Sequence, residues 1–358
     1  MLYTYERLKN RLKQTQRLKV ISLFSGCGGL DLGFIGGFTF LHKEYTKRNF
    51  EIIWANEIDK DFCKTYRKNF KHDIVEDDIR KVLTGESSIQ AKPLPQYADI
   101  VLGGFPCQDF SHAGKRRGFG NENGRGLLYK SMVEVIRRTK PLIFVAENVK
   151  GLLTMNKGEA IDIILKDFEK LGYHVSPNLY LAAEHGVPQM RERVIIVGTD
   201  KERLPKFKHN LPKLDKSAWI PLREAIGDLE SLPEGSKPNH YWSKAKLFPG
   251  TQGNTVISPD KPGPTMRAEH HGNIEFHWNG TRRLSAREAA RIQTFPDNFI
   301  FEPSTSSAYK QIGNAVPPVL AWHVAKAIEQ FLDENIERKQ NLVGYPTSNL
   351  RFFELKAA

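Results

Sequence analysis

The stretch that decides the fold class is LKVISLFSGCGGLDLGF, residues 18–34, in which an apolar run ends in a glycine-rich turn. Further apolar runs occur at 51–57 (EIIWANE), 98–104 (ADIVLGG), 142–148 (LIFVAEN) and 193–198 (RVIIVG). Runs of this length and composition are typical of strands buried on both faces. Amphipathic helical patterns lie at 58–70, 127–139 and 158–172. The alternation predicts an α/β fold with a doubly wound, mostly parallel sheet.

The amino-acid composition of the chain changes after residue 199. Residues 200–282 are rich in proline and in irregular polar runs such as PEGSKPNHYWSK, and they show no long helical period. This composition predicts a second, smaller, loop-rich domain. Helical patterns return at 285–295 and at 316–335, and the second of these begins with prolines suited to a helix start.

The net charge points to a polyanionic partner. The 358 residues include 53 Lys+Arg and 41 Asp+Glu, which leaves +12. With 40% hydrophobic residues the chain has an ordinary globular composition, so disordered and disulfide-scaffold classes are excluded. The positive excess is concentrated in residues 1–19, 112–140 and 282–291, and nucleic acid is favoured over a membrane surface. The basic residues of 1–19 also fit a solvated basic arm without a partner.

Compartment and metal content follow from what the sequence contains. No apolar run has the length of a membrane span, and the first residues lack the apolar core of a signal peptide, so a cytoplasmic location is expected. Cys27, Cys63 and Cys107 form no CxxC pair, which argues against disulfides and structural zinc. Cys27 is expected to be a bystander and Cys63 a core residue. His270, His271 and His277 lack a fourth ligand at suitable spacing, so no metal site is predicted.

Glycines and two acids suggest a nucleotide pocket. Gly26, Gly28 and Gly29 permit close approach of a nucleotide-like ligand after the first strand, although Asp31 stands where the dinucleotide fingerprint requires its third glycine. A glycine turn without a ligand is the alternative. Glu57, at the end of the next strand, can accept from ribose hydroxyls, and Asp78 from an adenine amino group. Each acid alone also fits a solvated residue at a strand end.

Cys107 and Glu147 combine a nucleophile with an acid. Cys107 lies in the loop GGFPCQDFSHAG, residues 103–114, where Phe105 and Pro106 can desolvate the thiol. Glu147 ends the next predicted strand and so reaches the same edge of the sheet. A thiol opposite a carboxyl acid is the pair that activates an electron-poor ring. An inert buried cysteine is the alternative.

Seven motifs in order carry a resemblance to a known family. FSGCGG, NEIDKDF, GGFPCQDFS, ENVKG, VPQMRERVIIVG, RRLSAREAARIQTFPD and AYKQIGNAVPP occur in the order of the motifs of cytosine-C5 DNA methyltransferases, which the chain strongly resembles. The resemblance implies the sheet of S-adenosylmethionine-dependent methyltransferases, S-adenosylmethionine as cofactor with S-adenosylhomocysteine as product, no metal, and double-stranded DNA as substrate. It also implies a prokaryotic, nucleoid-associated enzyme that acts as a monomer and is functionally paired with a restriction endonuclease.

The resemblance assigns a mechanism to the two reactive residues. Cys107 would add as thiolate to C6 of a cytosine flipped out of the duplex, and Glu147 would hydrogen-bond N3 and the amino group. C5 would then take the methyl group and lose its proton to a base, and Cys107 would leave. Arg193 would contact the flipped base near O2, with Arg191 and Gln189 supporting the site. Solvated charges ahead of a strand are the alternative for the two arginines.

The remaining site residues are implied in the same way. The cofactor residues are Phe24, Ser25, Gly26, Gly28, Gly29, Glu57, Ile58, Asp78, Ile79, Leu128, Asn314 and Ala315. Gln108 and Ser111 would lie close to the DNA backbone and to the space that the flipped base vacates. Arg267 and Asn273, in the loop 261–280, are candidates for reading the DNA sequence. Arg267 also fits a phosphate contact. Ser22 departs from the commonest pattern, in which aspartate stands at this position.

Asn314 lies far along the chain from the other cofactor residues, which implies that the C-terminal helix folds back onto the first domain. The predicted organisation is a catalytic and cofactor-binding domain at 1–199, a target-recognition domain at 200–282, a hinge segment at 283–313 and a returning helix at 314–358. The largest basic share, 112–140, is expected to contact phosphates and to give steep salt dependence.

Three alternatives to a DNA methyltransferase remain. A tRNA cytosine-C5 methyltransferase shares the fold and the ENV acid, but the run PCQDFS and the sizeable variable region disfavour it. A catalytically silent DNA-binding relative is disfavoured because Cys107, Glu147, Arg191 and Arg193 are all present. A nicotinamide dehydrogenase is disfavoured because this chain has Asp31 in place of the third glycine of the dinucleotide fingerprint, and because it would not explain PCQ together with ENV.

Overall fold

Nine strands and nine α-helices are present in the described part of the protein. The computed structural model describes residues 17–87, 92–106, 128–248, 250, 253–268 and 274–342, with side chains as far as 335. The strands are β1 (Leu18–Leu23), β2 (Phe38–Phe40), β3 (Lys43–Tyr45), β4 (Phe50–Glu57), β5 (Ile74–Glu76), β6 (Ile100–Gly103), β7 (Ile143–Val149), β8 (Tyr173–Leu181) and β9 (Glu192–Asp200). The α-helices are α1 (Gly29–Ile35), α2 (Lys60–Asn69), α3 (Ile79–Thr84), α4 (Leu128–Thr139), α5 (Glu159–Glu169), α6 (Leu222–Ile226), α7 (Ala286–Ile292), α8 (Thr305–Asn314) and α9 (Pro318–Leu342).

Seven strands form one sheet in the order β5-β4-β1-β6-β7-β9-β8. β5, β4, β1, β6 and β7 pair in parallel, whereas β9 runs antiparallel to both of its neighbours. The five apolar runs of the sequence correspond to β1, β4, β6, β7 and β9. The predicted α/β class with a mostly parallel sheet is therefore confirmed. β2 and β3 form a separate antiparallel pair.

Helices cover both faces of the sheet. Successive residues of a strand point to opposite faces, so each buried strand contributes side chains to both layers. Leu18 and Val20 of β1 pack in one core cluster with α1 and α9, and Ile21 and Leu23 pack in a second cluster with α4 and α5. Gly33 brings α1 and α9 together, since a Cβ atom there would lie 2.3 Å from the Cβ of Ala321. The C-terminal helix thus lies against the helix that follows the first strand.

A third core cluster joins α6, α7 and α8 to residues of the loop-rich region, including Ile257, Met266 and Ile274. Two arginines of 282–291 are fully buried here, and they donate to backbone carbonyls. Arg283 Nε donates to Ala245 O at 2.9 Å, and Arg287 donates to the carbonyl oxygens of Pro238, Pro296 and Phe299. This basic stretch is therefore largely internal rather than a surface patch.

In the part of the chain that the structure describes, no helix is long and apolar enough to cross a membrane.

Candidate active site

The predicted site residues converge where the parallel strands end. The turn FSGCGG follows β1, Glu57 ends β4, Phe105 and Pro106 follow β6, and Glu147 lies near the end of β7. Because carboxyl ends of parallel strands share one edge of a sheet, these groups face a common crevice. Cys107, Gln108, Ser111 and Asn273 lie outside the described residues, as do His270 and His271.

Glu147 and Arg193 form a buried ion pair across β7 and β9. In the antiparallel register Glu147 lies opposite Ile195 and Val149 lies opposite Arg193, so the acid and the arginine are diagonal neighbours on one face. Arg193 Nε donates to Glu147 Oε1 at 2.8 Å, and both side chains are 11% exposed. Arg193 Nη1 also donates to the carbonyl of Glu192 at 2.7 Å, which fixes the guanidinium. The pair thus presents a carboxyl and a planar cation together at the crevice.

Burial shifts the proton affinity of this pair. Loss of solvent raises the pKa of Glu147, and the nearby guanidinium groups of Arg193 and Arg191 offset part of that rise. Burial likewise lowers the pKa of Arg193, against the attraction of Glu147. A carboxyl group with raised proton affinity can share a proton with a ring nitrogen, which is the role the sequence predicts for Glu147.

Asn148 connects this acid to the loop that carries Cys107. Its Nδ2 donates to the carbonyl of Phe105 at 3.0 Å, and its Oδ1 accepts from the amide of Val149. A Cβ atom at Gly104 would lie 3.2 Å from Glu147 Oε2, so glycine lets the strand end pass close to the carboxyl group. Neither contact was predicted from the sequence. The adjacency of Asn148 to Glu147 and the glycine pair before Phe105 were the available signals.

Arg191 and Gln189 hydrogen-bond to backbone segments that surround the site, and their side chains do not enter it. Arg191 is fully buried, and its guanidinium donates to the carbonyls of Met266, Gly313 and Ala315 at 2.8, 2.8 and 3.0 Å. Gln189 Oε1 accepts from the amide of Met266 at 2.9 Å, and its amide donates to the carbonyl of Ile292 at 3.2 Å. Their contacts agree with the supporting role predicted for them and give that role a location.

The turn after β1 has the backbone of a ligand cradle. Gly26 and Gly28 have φ of 57° and 94°, and a Cβ atom at Gly28 would lie 2.3 Å from the ring of Phe70. Phe24 also has a positive φ, 53°, which is uncommon for a bulky residue. The amide of Ser25 donates to the carbonyl of Asn56 at 3.0 Å, so the turn is tied to the end of β4.

The carboxylate of Glu57 accepts hydrogen bonds from backbone amides of this turn and of its own segment. Its Oε2 accepts from the amide of Gly26 at 3.0 Å, and its Oε1 accepts from the amides of Ile58 and Asp59 at 2.9 Å each. Burial raises the pKa of Glu57, and these three amides lower it in part. Ile58, the next residue, is 64% exposed. The adenosine-binding role of these residues stays a prediction.

Asp78 caps a helix and is already engaged by an arginine. Its Oδ1 accepts from the amide of Arg80 at 2.9 Å, and the carboxylate forms an ion pair with the Arg80 guanidinium at 2.6 Å. These contacts hold its pKa below the usual value. Contact with an adenine amino group requires this pair to open or to share its oxygens, and it remains a prediction. Ile79 is buried in the core behind Asp78.

The C-terminal part of the chain packs against the glycine turn after β1. A Cβ atom at Gly29 would lie 2.4 Å from the carbonyl of Val316 and 3.1 Å from the Cβ of Ala315. Asn314 is exposed at the end of α8 directly beside this contact. Leu128, at the start of α4, packs partly buried against the second core cluster.

The remaining predicted residues are distributed as follows. Arg267 is exposed, and its backbone packs on Gly313, where a Cβ atom would lie 2.1 Å from the Arg267 carbonyl group. Cys27 and Cys63 are buried free thiols whose pKa burial raises, and Cys63 lies in the core as predicted. His277 is buried beside Trp278, with its Nε2 3.8 Å from Glu288 Oε1.

An open cavity of about 830 Å³ is lined by Met190, which lies next to Arg191, and by residues of the loop-rich region. Its lining combines apolar and charged side chains, including Val256, Lys216, Asp260 and Lys261. Met190 and Val256 are 41% and 49% exposed.

Comparison with known proteins agrees with this geometry. The C-5 cytosine-specific DNA methylase family matches residues 18–256 and 251–330. Type II methyltransferase M.NgoFVII of Neisseria gonorrhoeae is 37% identical over 93% of this chain and 92% of its own length, and M.BsuRI of Bacillus subtilis is 35% identical over 92% and 83%. The solved Dnmt2 methyltransferase of S. pombe is 17% identical with a TM-score of 0.62, covering 89% of this chain and 99% of its own, and it shows the likeness of fold. The chain belongs to the C-5 cytosine-specific DNA methylase family.

Proposed function

We propose that the protein is a site-specific DNA cytosine-C5 methyltransferase that uses S-adenosylmethionine and a covalent bond between Cys107 and C6 of a flipped-out cytosine. The buried pair of Glu147 and Arg193 is the observation that carries this proposal, because it places a carboxyl acid and a planar cation at the sheet edge where the Cys107 loop begins. These are the groups that a cytosine ring needs for recognition of N3, the amino group and O2.

The residues around the β1 turn fit the cofactor. The positive φ of Gly26 and Gly28 leaves backbone open to a nucleoside, and Glu57 offers carboxylate oxygens for a ribose diol. Ile58 supplies an apolar edge for a base. When bound there, S-adenosylmethionine supplies an electrophilic methyl group, and S-adenosylhomocysteine is left as product. No metal takes part in the proposal.

The chain's own residues would carry the activation of the ring. Addition of the Cys107 thiolate to C6 shifts an electron pair of the ring toward C5, and Glu147 holds a proton at N3 while the negative charge develops. Arg193 orients the base through O2. After C5 has been methylated, loss of its proton to a base restores the double bond, and Cys107 leaves from C6.

The substrate is double-stranded DNA. The target cytosine has to leave the stack, at a cost of about a few kcal/mol, before it can enter the crevice. Gln108 and Ser111 are proposed to line the space it vacates, and Arg267 and Asn273 to contact the recognition sequence. The division into a catalytic domain, a recognition domain at 200–282, a hinge at 283–313 and a returning helix belongs to the same proposal.

A restriction-modification role follows from the relatives' type. M.NgoFVII and M.BsuRI are named Type II methyltransferases. We infer that this chain protects host DNA as a monomer whose partner endonuclease cuts the same sequence, without contact between the two proteins being required. Bisulfite sequencing of DNA from cells that express the protein identifies the modified cytosine.

Methyl transfer from labelled cofactor tests the proposed function. Duplex DNA with varied sequence is expected to accept label as 5-methylcytosine, and tRNA is expected to accept none. Glu147→Gln is expected to abolish the transfer, whereas the matched variant Glu192→Gln, an exposed acid paired with Lys150 at 2.8 Å, is expected to retain it. Transfer to tRNA in preference to DNA would contradict the proposal, and so would full activity of Glu147→Gln.

A further inference from the structure

A buried carboxylate that the proposed mechanism does not use lies directly beneath the cofactor turn. Asp31 is on α1 and has no exposed surface. Ser22 Oγ of β1 donates to its Oδ1 at 2.6 Å, and the Tyr66 hydroxyl of α2 donates to its Oδ2 at 2.5 Å. A buried charge is tolerated only with such partners. Asp31 therefore joins the three elements that surround the turn.

The direction of the hydrogen bonds makes Asp31 the end of two donor chains. The single hydroxyl proton of Tyr66 is given to Asp31, so His72 Nε2, at 2.7 Å, must donate to the Tyr66 oxygen. On the other side, the Ser25 hydroxyl donates to Ser22 Oγ at 2.9 Å, with the Ser22 carbonyl oxygen as a second acceptor at 3.2 Å, since the Ser22 proton is used by Asp31. Ser25 belongs to the turn itself. The carboxylate thus reaches the turn through only one intervening hydroxyl.

A second contact couples the same network to the glycines. The Tyr66 ring packs on Phe70 with ring centroids 4.4 Å apart, and Phe70 fills the space beneath Gly28. A displacement of Tyr66 would therefore move the surface on which the turn rests. The network touches the turn at Ser25 and supports it at Gly28, on both sides of Gly26.

We propose that Asp31 is a positioning residue for the S-adenosylmethionine turn, and that the carboxylate it supplies from α1 can be supplied equally well from position 22 of β1. The inference rests on the proposed function, because it takes S-adenosylmethionine as the ligand of the turn.

The geometry of Ser22 and Asp31 explains why one carboxylate, and not two or none, is needed between them. One hydroxyl and one carboxylate fill the space between β1 and α1 with a contact of 2.6 Å. Two carboxylates at this distance would repel each other and would have to share a proton. Two hydroxyls would leave the Tyr66 proton without its charged acceptor. We therefore expect the two positions to be interchangeable as a pair but not singly.

A double-mutant cycle on the full chain tests the proposal. The measured quantity is the dissociation constant of S-adenosylhomocysteine, determined by calorimetry for the parent, Asp31→Ser, Ser22→Asp and the exchanged variant that carries both changes. Each single change is expected to weaken binding about tenfold or more, since each leaves a buried polar group unpaired or a like-charged pair. The exchanged variant is expected to bind within about threefold of the parent, by the same reasoning.

Two controls separate positioning from general loss of structure. Affinity for duplex DNA is expected to stay unchanged in all four proteins. Ser176→Ala removes a buried hydroxyl that donates to the Phe207 carbonyl at 2.9 Å on β8, away from the turn, and is expected to leave S-adenosylhomocysteine binding unchanged. If Asp31→Ser does not fold, Tyr66→Phe removes one donor to the same carboxylate and is expected to weaken binding about threefold or more.

The outcomes distinguish this inference from the proposed function. Binding by Asp31→Ser or, in its place, Tyr66→Phe within twofold of the parent overturns the positioning role. An exchanged variant as weak as the weaker single variant overturns the interchange. A parent protein that does not bind S-adenosylhomocysteine overturns the proposed function itself and the inference with it.

Discussion

Replacement of Arg191 by methionine is expected to destabilise the protein strongly, although Arg191 resembles a catalytic residue in sequence. The side chain is fully buried and donates to three backbone carbonyls, those of Met266, Gly313 and Ala315. Methionine has a similar unbranched stem and no donor. Arg191→Met therefore removes the donors while it retains most of the packing.

The magnitude follows from those three contacts. A hydrogen bond to a charged group contributes about 1.5–3 kcal/mol net, so three of them would reach about 4.5–9 kcal/mol if they were additive. Removal of a buried charge also recovers its desolvation cost, which offsets part of that sum. A loss of about 3–5 kcal/mol in the free energy of unfolding is expected, as for other broken buried networks.

Urea unfolding measures this loss from the midpoint and the slope. Arg191→Lys is expected to recover little, because one ammonium group does not span three carbonyls as a guanidinium fork does. The control is Lys150→Met, which removes an exposed cation paired with Glu192 and is expected to change stability by less than about 1 kcal/mol. A loss below about 1 kcal/mol for Arg191→Met, or full recovery by lysine, would refute the assigned role.

Three further outcomes are expected. Burial raises the pKa of Asp31 from 3.8 to about 6, so between these pH values the native state retains a proton that the unfolded state releases, and stability falls as pH rises from 3.8 to 6. Urea unfolding at several pH values should show that the parent loses about 3 kcal/mol more stability over this range than Asp31→Asn does. The same pH dependence in both proteins would contradict this prediction. Gly28→Ala places a Cβ at 2.3 Å from Phe70 with φ 94°, so calorimetry should show S-adenosylhomocysteine binding weakened about tenfold, and unchanged affinity would argue against the cradle. Arg267→Ala should relax methylation preference at one position of the site in bisulfite sequencing, whereas uniform weakening on all DNA would assign it to phosphate.

The sheet was largely predictable because its strands are buried on both faces and read as continuous apolar runs. β8 was not predicted. Its sequence, YHVSPNLYL, contains Pro177 within an irregular pattern, and such a strand is tolerated because it lies at the edge of the sheet, where one side needs no ladder partner. α8 was also missed, since TSSAYKQIGN has few apolar positions. It is stabilised by the Ser304 cap and by burial of Ala308, Tyr309 and Ile312.

The site divides in a similar way between what the motifs contain and what only packing decides. The positions of Glu57 and Glu147 at strand ends could be predicted from the apolar runs that precede them, whereas Arg193 was assigned by the family resemblance, and the roles of all three remain predictions. The burial of Arg283 and Arg287 could not be predicted, since the sequence does not distinguish a buried arginine that donates to backbone carbonyls from an exposed one that binds phosphate. The role of Asp31 was hidden for a related reason: its partners Ser22 and Tyr66 come from other elements of the fold.

The most direct test of the covalent mechanism is capture of the protein on duplex DNA that contains 5-fluorocytosine at the methylated position. Fluorine at C5 cannot leave as a proton, so in the presence of S-adenosylmethionine the bond between Cys107 and C6 is expected to persist as a denaturation-resistant complex. Peptide mapping should place the adduct on Cys107. Absence of any such complex with the parent protein, or an equal yield from Cys107→Ser, would contradict the mechanism.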